Sequence, residues 1–396
     1  MPTAPTDTMD DVAIAGAGPA GSLVAIILAR AGLRVRLFDR ATFPRHKLCG
    51  DTVNPGALTV LQRHVPLTAL VSRSDPIDGM VLTGPGGVTI RASYGPGVSG
   101  RAITREALDH WLITRAVAAG AHLEEGATIK DAAMADGRVA GVIISRGSRV
   151  CAHPSRLVVA ADGRRSTLAL TRKLSRQPRR PRRWAIGAYF SDVAGRTTLG
   201  EMHVRRGHYI GVAPLPKGLT NACLVLPHAH GDAPIGDPMT LLRSHLDRDP
   251  DLRTRFCGAK PVSPPTVLGP MAVDSRAAGE PGLLLAGDAA GFIDPMTGDG
   301  LRFALAGAEL AAAVAIEVIS GRTSIDRAHV ELAARRRAVF ARKWRFNRAV
   351  RSLVASPAGI TAAAAAATVL PSIFQAIIRY AGDCDGSRLP APGLPA

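Results

Sequence analysis

The stretch that decides the fold is Val12-Ala13-Ile14-Ala15-Gly16-Ala17-Gly18-Pro19-Ala20-Gly21, near the start of a chain of 396 residues. Its apolar beginning predicts a buried parallel strand. Gly16, Gly18 and Gly21 predict a tight turn whose backbone N–H groups can approach a pyrophosphate. A helix predicted to begin at the proline adds the positive end of its dipole. A second predicted strand ends in Asp39, whose carboxylate can accept hydrogen bonds from ribose hydroxyls. Together these elements predict a dinucleotide-binding βαβ unit.

A second glycine-rich block lies far from the first, near residue 290. Gly287-Asp288-Ala289-Ala290-Gly291 follows a strand predicted over residues 283–286, so Asp288 can accept a hydrogen bond from a ribityl hydroxyl. Farther on, Gly298 and Gly300 open a helix predicted to run to about residue 319. Its first N–H groups can face the polar edge of an isoalloxazine ring and stabilise negative charge on a reduced flavin. The two blocks, in this order, predict one FAD held from both ends.

A third block, Ala161-Asp162-Gly163-Arg164-Arg165-Ser166, follows a strand predicted over residues 157–160. An acid and a glycine at the end of a strand predict that Asp162 lies on the pyrophosphate side of the cofactor, near the path of the reductant. Upstream, Thr104 is predicted to cap a helix from Arg105 to Ala119.

The composition limits the partners. Lys and Arg number 49 and Asp and Glu 32, a net charge of +17. Such a charge fits nucleic acid, an anionic membrane surface or an anionic cofactor. Aromatic residues are only 4% of the chain, and no nucleic-acid-binding module is recognisable in the sequence, so we expect no nucleic acid partner.

Cysteine usage and the N-terminus indicate the compartment. Five cysteines are scattered without a C-x-x-C pair, which predicts neither a zinc site nor a disulfide framework and favours a reducing compartment. Residues 1–11 lack the basic and apolar regions of a secretory signal. We therefore expect a cytoplasmic protein without a metal, and we interpret the histidines at 203, 208, 228 and 230 as surface or loop residues.

The order of the predicted elements indicates an α/β fold: a Rossmann-type FAD-binding domain, an antiparallel-sheet substrate domain and C-terminal helices. Strands predicted between residues 184 and 226 form an antiparallel meander. The predicted boundaries place residues 1–75, 101–180 and 276–325 in the FAD-binding domain. They place residues 76–100 and 181–275 in the substrate domain, and residues 326–396 in a C-terminal helical region.

Two segments leave membrane contact open. Residues 352–378 carry no formal charge and follow five basic residues, but Pro357 and Pro371 interrupt them and favour two packed helices over a membrane span. The segment 172–183 contains seven basic residues. It is either a solvated loop or a contact for anionic lipid head groups or for the phosphates of a reductant. Peripheral contact with the inner face of the membrane is thus one interpretation.

Three motifs carry a resemblance to a known family. Phe43-Pro44-Arg45-His46-Lys47-Leu48-Cys49-Gly50 resembles the Pro-Arg-x-Lys-x-Cys-Gly block of the geranylgeranyl reductases, which have the para-hydroxybenzoate hydroxylase fold. Residues 105–109 and 287–301 are similar to two further blocks of that family. The resemblance implies a lipophilic pocket and FAD-mediated hydride delivery to carbon–carbon double bonds of isoprenoid chains. The FAD contacts it implies, with Arg45 of the first block added as a candidate, are Ala20, Asp39, Arg45, Cys49, Gly50, Arg105, Asp288, Gly300 and Leu301.

Two departures bear on the reaction. Gly291 stands where aromatic hydroxylases of this fold usually have histidine, which favours a reductase. Residues 209–214 lack the aromatic side chains of the family's Tyr-x-Trp-x-Phe-Pro segment, so the substrate stays open as isoprenoid- or polyketide-like. The alternative is a monooxygenase that hydroxylates an aromatic or polyketide-like molecule with NAD(P)H and O2. NAD(P)H is the candidate electron donor, and Cys49 is either a catalytic thiol or a packing residue.

Overall fold

The computed structural model describes residues 9–178, 183–227, 236–292, 296 and 298–384. The helices are α1 Pro19–Arg30, α2 Pro55–His64, α3 Thr68–Val71, α4 Arg105–Ala118, α5 Thr167–Thr171, α6 Pro238–Arg248, α7 Arg253–Phe256, α8 Gly300–Ile319, α9 Ala328–Ala355, α10 Pro357–Val369 and α11 Pro371–Ala381. The strands are β1 Asp10–Ala15, β2 Val35–Phe38, β3 Thr52–Val53, β4 Asp75–Ile77, β5 Gly79–Thr83, β6 Thr89–Ser93, β7 Gly100–Ala102, β8 His122–Glu124, β9 Thr128–Ala135, β10 Arg138–Arg146, β11 Arg149–Ala160, β12 Ser175–Arg176, β13 Arg183–Ser191, β14 Leu199–Arg205, β15 His208–Pro214, β16 Thr220–Pro227, β17 Lys260–Pro261, β18 Thr266–Leu268, β19 Asp274–Ser275, β20 Gly279–Glu280 and β21 Leu283–Leu285.

The first sheet is the predicted Rossmann-type sheet. Its strands lie in the order β20-β21-β11-β1-β2-β8, and β1 pairs in parallel with both β2 and β11. Helix α1 is apolar along most of its length and ten of its 12 residues are buried, because α4 and α8 cover it on the face of the sheet. The carboxyl ends of β1, β2, β11 and β21 therefore meet at one edge, where the three predicted motifs begin. The predicted fold class is confirmed.

The second sheet has the order β17-β13-β16-β15-β14-β5-β6. Strands β14, β15 and β16 form an antiparallel meander as predicted, but β13 pairs with β16 and not with its successor. Strand β14 instead pairs in parallel with β5, from a distant part of the chain. The prediction was wrong here because the alternation of apolar residues defines the faces of a strand but not its neighbours. The predicted domain boundaries remain a prediction.

The C-terminal region consists of α9, α10 and α11. Pro357 and Pro371 each stand at the start of a helix, where the missing N–H costs nothing, so they divide the uncharged stretch into two helices as predicted. Helix α9 precedes these two helices and ends at Ala355. Among the described residues, no single helix has the length and apolar character needed to cross a membrane. Residues 328–353 and 358–369 meet that test only jointly, across a bend of 107°.

Candidate cofactor and substrate site

The glycines of the turn after β1 have two different roles. Gly16 has a φ of +95°, and a Cβ there would lie 2.5 Å from the Cα of Asp162. A Cβ at Gly21 would lie 1.8 Å from the carbonyl oxygen of Gly16. Gly18, by contrast, has only the Arg45 guanidinium 3.7 Å from its Cβ position, and it starts α1 without a side-chain cap. Gly16 and Gly21 thus permit the close packing of the turn, while Gly18 faces open space.

Asp39 fixes the turn to the end of β2. Its Oδ2 accepts a hydrogen bond of 2.9 Å from the N–H of Ala17, and its Oδ1 accepts one of 2.9 Å from Ala41. An Arg45 guanidinium nitrogen lies 3.7 Å from Oδ2. The carboxylate is thereby held beside the turn, at the predicted position.

The second glycine block touches the first. After β21 the chain forms a single 3₁₀ turn over Gly287–Ala290, and a Cβ at Gly287 would lie 2.9 Å from the Cβ of Ala20. Gly291 has a φ of +116°, a conformation that side chains disfavour. Helix α8 begins at Gly300, as predicted. Ile293, Asp294, Pro295 and Thr297 lie outside the described residues.

The loop that contains Cys49 is joined to α4 and to the second sheet. The backbone N–H of Arg105 donates to Asp51 Oδ1 over 3.0 Å. Asn221 of β16 donates through Nδ2 to the carbonyl oxygen of Cys49 over 2.7 Å and to Asp51 Oδ2 over 2.8 Å. The Arg105 side chain is buried and also interacts with Cys49. These contacts set the position of Cys49 relative to α4 and to the second sheet.

Burial shifts the pKa values in this loop. It raises the pKa of Asp51 to about 7, although hydrogen bonds from Tyr189 and from the backbone of Arg105 oppose the shift. Burial also raises the pKa of the Cys49 thiol and raises that of the neighbouring Cys223 to about 12. Both thiols are consequently protonated at neutral pH. Burial and the charge of Arg105 lower the pKa of Lys47 to about 8.

One cavity connects these motifs. It has a volume of about 320 Å³. Ten predicted cofactor residues line it: Gly18, Ala20, Cys49, Gly50, Arg105, Gly287, Asp288, Gly298, Gly300 and Leu301. Five others do not line it and lie in or behind the turn: Gly16, Gly21, Asp39, Arg45 and Asp162. The fold thus places residues that are more than 250 positions apart in the sequence, such as Gly18 and Leu301, in the lining of one cavity.

Several lining residues were not predicted as site residues. Lys47 of the Phe43–Gly50 block lines the cavity, but in the sequence it is indistinguishable from an ordinary exposed lysine. Arg164 follows Asp162-Gly163, and its guanidinium donates to the carbonyl oxygen of Pro270 over 2.8 Å. The apolar lining comes from the second sheet, from two loop residues and from the C-terminal helices: Met80, Leu82, Met202, Val225, Leu268, Met271, Phe292, Phe346, Val350, Ile377 and Ile378. Period-two strand patterns predict burial of this kind but not its position around a cavity.

The residues present fit an FAD. Gly18 lines the cavity with bare backbone, as a pyrophosphate requires, and a Cβ there would meet only the Arg45 guanidinium at 3.7 Å. Lys47, Arg105 and the start of α8 place positive charge along one wall, as an anionic cofactor requires. Asp162 is nearly buried, and its Oδ1 has no hydrogen-bond partner among the described residues, so it can accept one from a ligand or water.

The Rossmann-type sheet, the joined glycine blocks and the cavity between them define a flavin-dependent oxidoreductase. Residues 9–228 match the family described as an FAD binding domain. Over 323 residues, the chain is 30% identical to the menaquinone reductase of Mycolicibacterium smegmatis, covering 77% of this chain and 76% of that one. Over 325 residues, it is 30% identical to digeranylgeranylglycerophospholipid reductase 2 of Methanopyrus kandleri, covering 78% and 77%. The chain therefore belongs to the geranylgeranyl reductase family of FAD-dependent oxidoreductases, as its motifs predicted.

Solved structures show the same fold. A geranylgeranyl bacteriochlorophyll reductase-like protein from Thermoplasma acidophilum superposes with a TM-score of 0.76 at 19% identity, covering 97% of this chain and 93% of that one. A flavin-dependent brominase superposes with a TM-score of 0.81 at 18% identity, covering 97% and 96%. At these identities the likeness concerns the fold alone, and it does not discriminate between reductase and oxygen-dependent chemistry.

One histidine was misassigned. His203 is 2% exposed in β14, where its Nδ1 lies 2.9 Å from Thr83 Oγ1 and its Nε2 lies 2.9 Å from Glu201 Oε2. The interpretation as a surface residue was wrong because the histidine faces a buried ion-pair network and not solvent. His203, Asp249 and Asp251 are close enough to share an ion, but Arg205 donates to both carboxylates. His228 and His230 lie outside the described residues.

Proposed function

We propose that this FAD-dependent oxidoreductase adds hydrogen across a carbon–carbon double bond of a lipophilic, isoprenoid- or polyketide-like small molecule. The observation that carries the proposal is the continuity of the cavity. Polar backbone at Gly18 and Asp288 lines one part, and apolar side chains such as Leu268 and Ile377 line the rest. A long apolar molecule can therefore lie with one end against the cofactor site.

The family relationship supports this substrate class. The Methanopyrus relative is named a reductase of a digeranylgeranylglycerophospholipid, and the Mycolicibacterium relative a menaquinone reductase. Both names specify reduction of a lipophilic molecule. Gly211 lines the cavity wall without a side chain, and its Cβ position has only ordinary contacts, at 3.9 Å, with Cys223 and Met202. We leave the identity of the lipid open.

Bound FAD would supply the hydride, and this chain's residues would supply position, charge and a proton. As candidate contacts, we retain the residues of the three motifs from Gly16 to Leu301. Lys47 and Arg105, which line the cavity together with Asp288, would stabilise the negative charge of the bound cofactor. The Cys49 thiol is protonated because burial raises its pKa, so its Sγ–H can give the proton that a reduced double bond needs besides hydride. The apolar side chains of β16 and β18 would exclude water.

NAD(P)H is the proposed electron donor. Arg164 and Arg165 lie at the end of β11 and donate to the carbonyl oxygens of Pro270 and Gly269 over 2.8 and 2.6 Å. They bring positive charge to the loop that we predict lies on the reductant's path. A phosphate-bearing donor suits such a loop.

We also propose that contact with a membrane is peripheral. Of the two basic segments, 172–183 offers the weaker support, because Arg172 pairs with Glu280 at 3.2 Å and Arg176 with Asp274 at 3.8 Å. Arg179, Arg180 and Arg182 lie outside the described residues. The basic residues of α9, which precede the uncharged stretch 352–378, offer the stronger support.

The deciding experiment separates the two half-reactions. The flavin is first reduced anaerobically with NADPH or dithionite, and its reoxidation is then followed at the flavin absorption band. We expect geranylgeranyl lipids in detergent to reoxidise it without oxygen and to gain two hydrogen atoms, as measured by mass spectrometry. If the lipid does not reoxidise the flavin without O2, and the product formed with O2 carries an oxygen atom from it, the monooxygenase is favoured and the proposal is overturned.

A matched pair of variants tests the cavity. Leu268→Arg places a charge in the apolar wall, whereas Val262→Arg places the same charge on an exposed neighbouring segment. We expect the first to lose lipid-dependent reoxidation while it still binds FAD, and the second to retain both. Equal activity of the two variants would show that the substrate does not lie along Leu268.

A further inference from the structure

Helix α11 carries an exposed apolar stripe. Leu370 precedes the helix, and Ile373, Ile377 and Tyr380 continue along the same side at spacings of three, four and three residues. They are 47%, 50%, 36% and 40% exposed. Phe374 and Ile378, on the adjoining side of the helix, pack against β6. Helix α11 therefore has one apolar side in the core and another that faces solvent.

The stripe reaches the cavity. Ile377 is the one large exposed apolar residue, among those described, that also lines the cavity. Ile378, Ala381 and Gly382 line it from the same helix end, and Phe346 lines it from α9. The apolar wall inside the protein is thus continuous with the apolar stripe outside.

The stripe is held in place at its C-terminal end. Lys343 of α9 is 4% exposed and donates to the carbonyl oxygens of Tyr380 and Ala381 and to Asp383. The carbonyl oxygen of Gly382 accepts a hydrogen bond of 3.3 Å from the N–H of Gly56. These contacts fix α11 relative to α2 and α9, so the stripe is a defined part of the surface.

The chain segment that contains the stripe carries charge of one sign, up to Asp383 just beyond it, which Lys343 binds. Residues 332–382 contain nine Lys and Arg residues and no Asp or Glu. Arg342, Arg345, Arg348 and Arg379 are exposed. An apolar stripe within a basic segment matches an anionic lipid surface, which supplies both an apolar interior and negative head groups.

We infer that α11 lies on an anionic membrane, and that its stripe is the entrance through which an apolar chain passes from the bilayer into the cavity. The role as an entrance rests on the proposed lipophilic substrate. Contact through α11 specifies the peripheral membrane contact proposed above, and it is independent of the substrate because vesicle binding requires neither FAD nor turnover. The two can therefore fail separately.

The test is sedimentation of the purified full chain with vesicles. The probes are phosphatidylcholine vesicles and vesicles with about 30 mole per cent phosphatidylglycerol. The double variant Leu370→Gln/Ile373→Gln removes two stripe residues that do not line the cavity. The matched control, Val150→Gln/Val262→Gln, removes two apolar residues exposed by 62% and 50% elsewhere. A third protein, Arg345→Gln/Arg348→Gln, removes two exposed charges of α9.

We expect the wild type and the control to bind the phosphatidylglycerol vesicles, and the stripe variant to bind them at least about tenfold more weakly. The arginine variant should lose most of the preference for the anionic vesicles. Failure of the wild type to bind, or equal binding by the stripe variant, would overturn the inference. A wild-type dimer that the stripe variant converts to a monomer would also overturn it, because a second copy would then cover the stripe.

Discussion

Arg105 and Asp109 form a bidentate ion pair in the interior of the protein. The residues are one turn apart on α4, and Arg105 Nε lies 2.9 Å from Asp109 Oδ1 while Nη2 lies 3.0 Å from Oδ2. The Asp109 side chain is fully buried, and Arg45 also approaches it at 3.2 Å. One carboxylate thereby compensates two guanidinium groups next to the cofactor site.

Removal of this carboxylate should be costly. Asp109→Ala leaves Arg105 and Arg45 without their shared counter-charge, and we expect the free energy of unfolding to fall by about 3–5 kcal/mol. Urea unfolding of the apoprotein measures this free energy. His110→Ala, on the exposed side of the same helix, should change it by less than about 0.5 kcal/mol. Similar losses in the two variants would refute the importance of the ion pair.

The glycines of the first turn should separate folding from cofactor binding. A Cβ at Gly21 overlaps the backbone of Gly16, so Gly21→Ala should lower the unfolding temperature strongly or prevent folding. A Cβ at Gly18 meets only the end of the Arg45 side chain at 3.7 Å, so Gly18→Ala should fold normally. Because Gly18 lines the cavity at the proposed pyrophosphate position, we expect FAD affinity to fall by about tenfold or more.

Thermal unfolding and FAD titration, followed by flavin fluorescence, measure these two effects. Gly258→Ala provides the control, since nothing lies within 4 Å of its Cβ position. Unchanged FAD affinity of the Gly18→Ala protein would place the pyrophosphate elsewhere.

The stability of the apoprotein should depend on pH through Asp51. Burial raises its folded-state pKa to about 7 from an ordinary value of 3.8. Between about pH 4 and pH 7, the folded chain therefore binds a proton that the unfolded chain has released. Stability should consequently fall as the pH rises through this window, by at most about 1.4 kcal/mol per pH unit from this group.

Urea unfolding of the wild type and of Asp51→Asn across this window isolates the effect. Burial raises the pKa of Asp299 to about 6 and gives the wild type a second contribution of the same sign. The difference between the two proteins, and not the wild-type curve alone, therefore reports on Asp51. A difference that is constant with pH would show that Asp51 titrates normally in the folded state.

The sequence predicted the cofactor side of the molecule better than the substrate side. The first glycine turn, Asp39 and the start of α8 at Gly300 follow from local rules, because a tight turn, a strand end and a helix start are each encoded by neighbouring residues. The partner of β14 and the burial of His203 are not encoded by neighbouring residues. They depend on β5 and on Thr83 within it, more than 100 positions away. The cavity wall formed by α11 was likewise beyond local pattern, since its apolar residues serve both core and surface.

The cysteines should differ in reactivity in a way that tests the place of Cys49. Cys151 and Cys257 are exposed, whereas Cys49 and Cys223 are half-buried and their pKa values are raised by burial. Because the thiolate is the nucleophile, iodoacetamide near pH 8 should alkylate Cys49 and Cys223 at least about tenfold more slowly than the exposed pair. Peptide mass spectrometry over time measures each rate.

Cys49 also lines the cavity beside Arg105, so FAD should slow its alkylation further and leave that of Cys151 unchanged. Equal rates for Cys49 with and without FAD would place the flavin away from this thiol and would remove it as the proton donor.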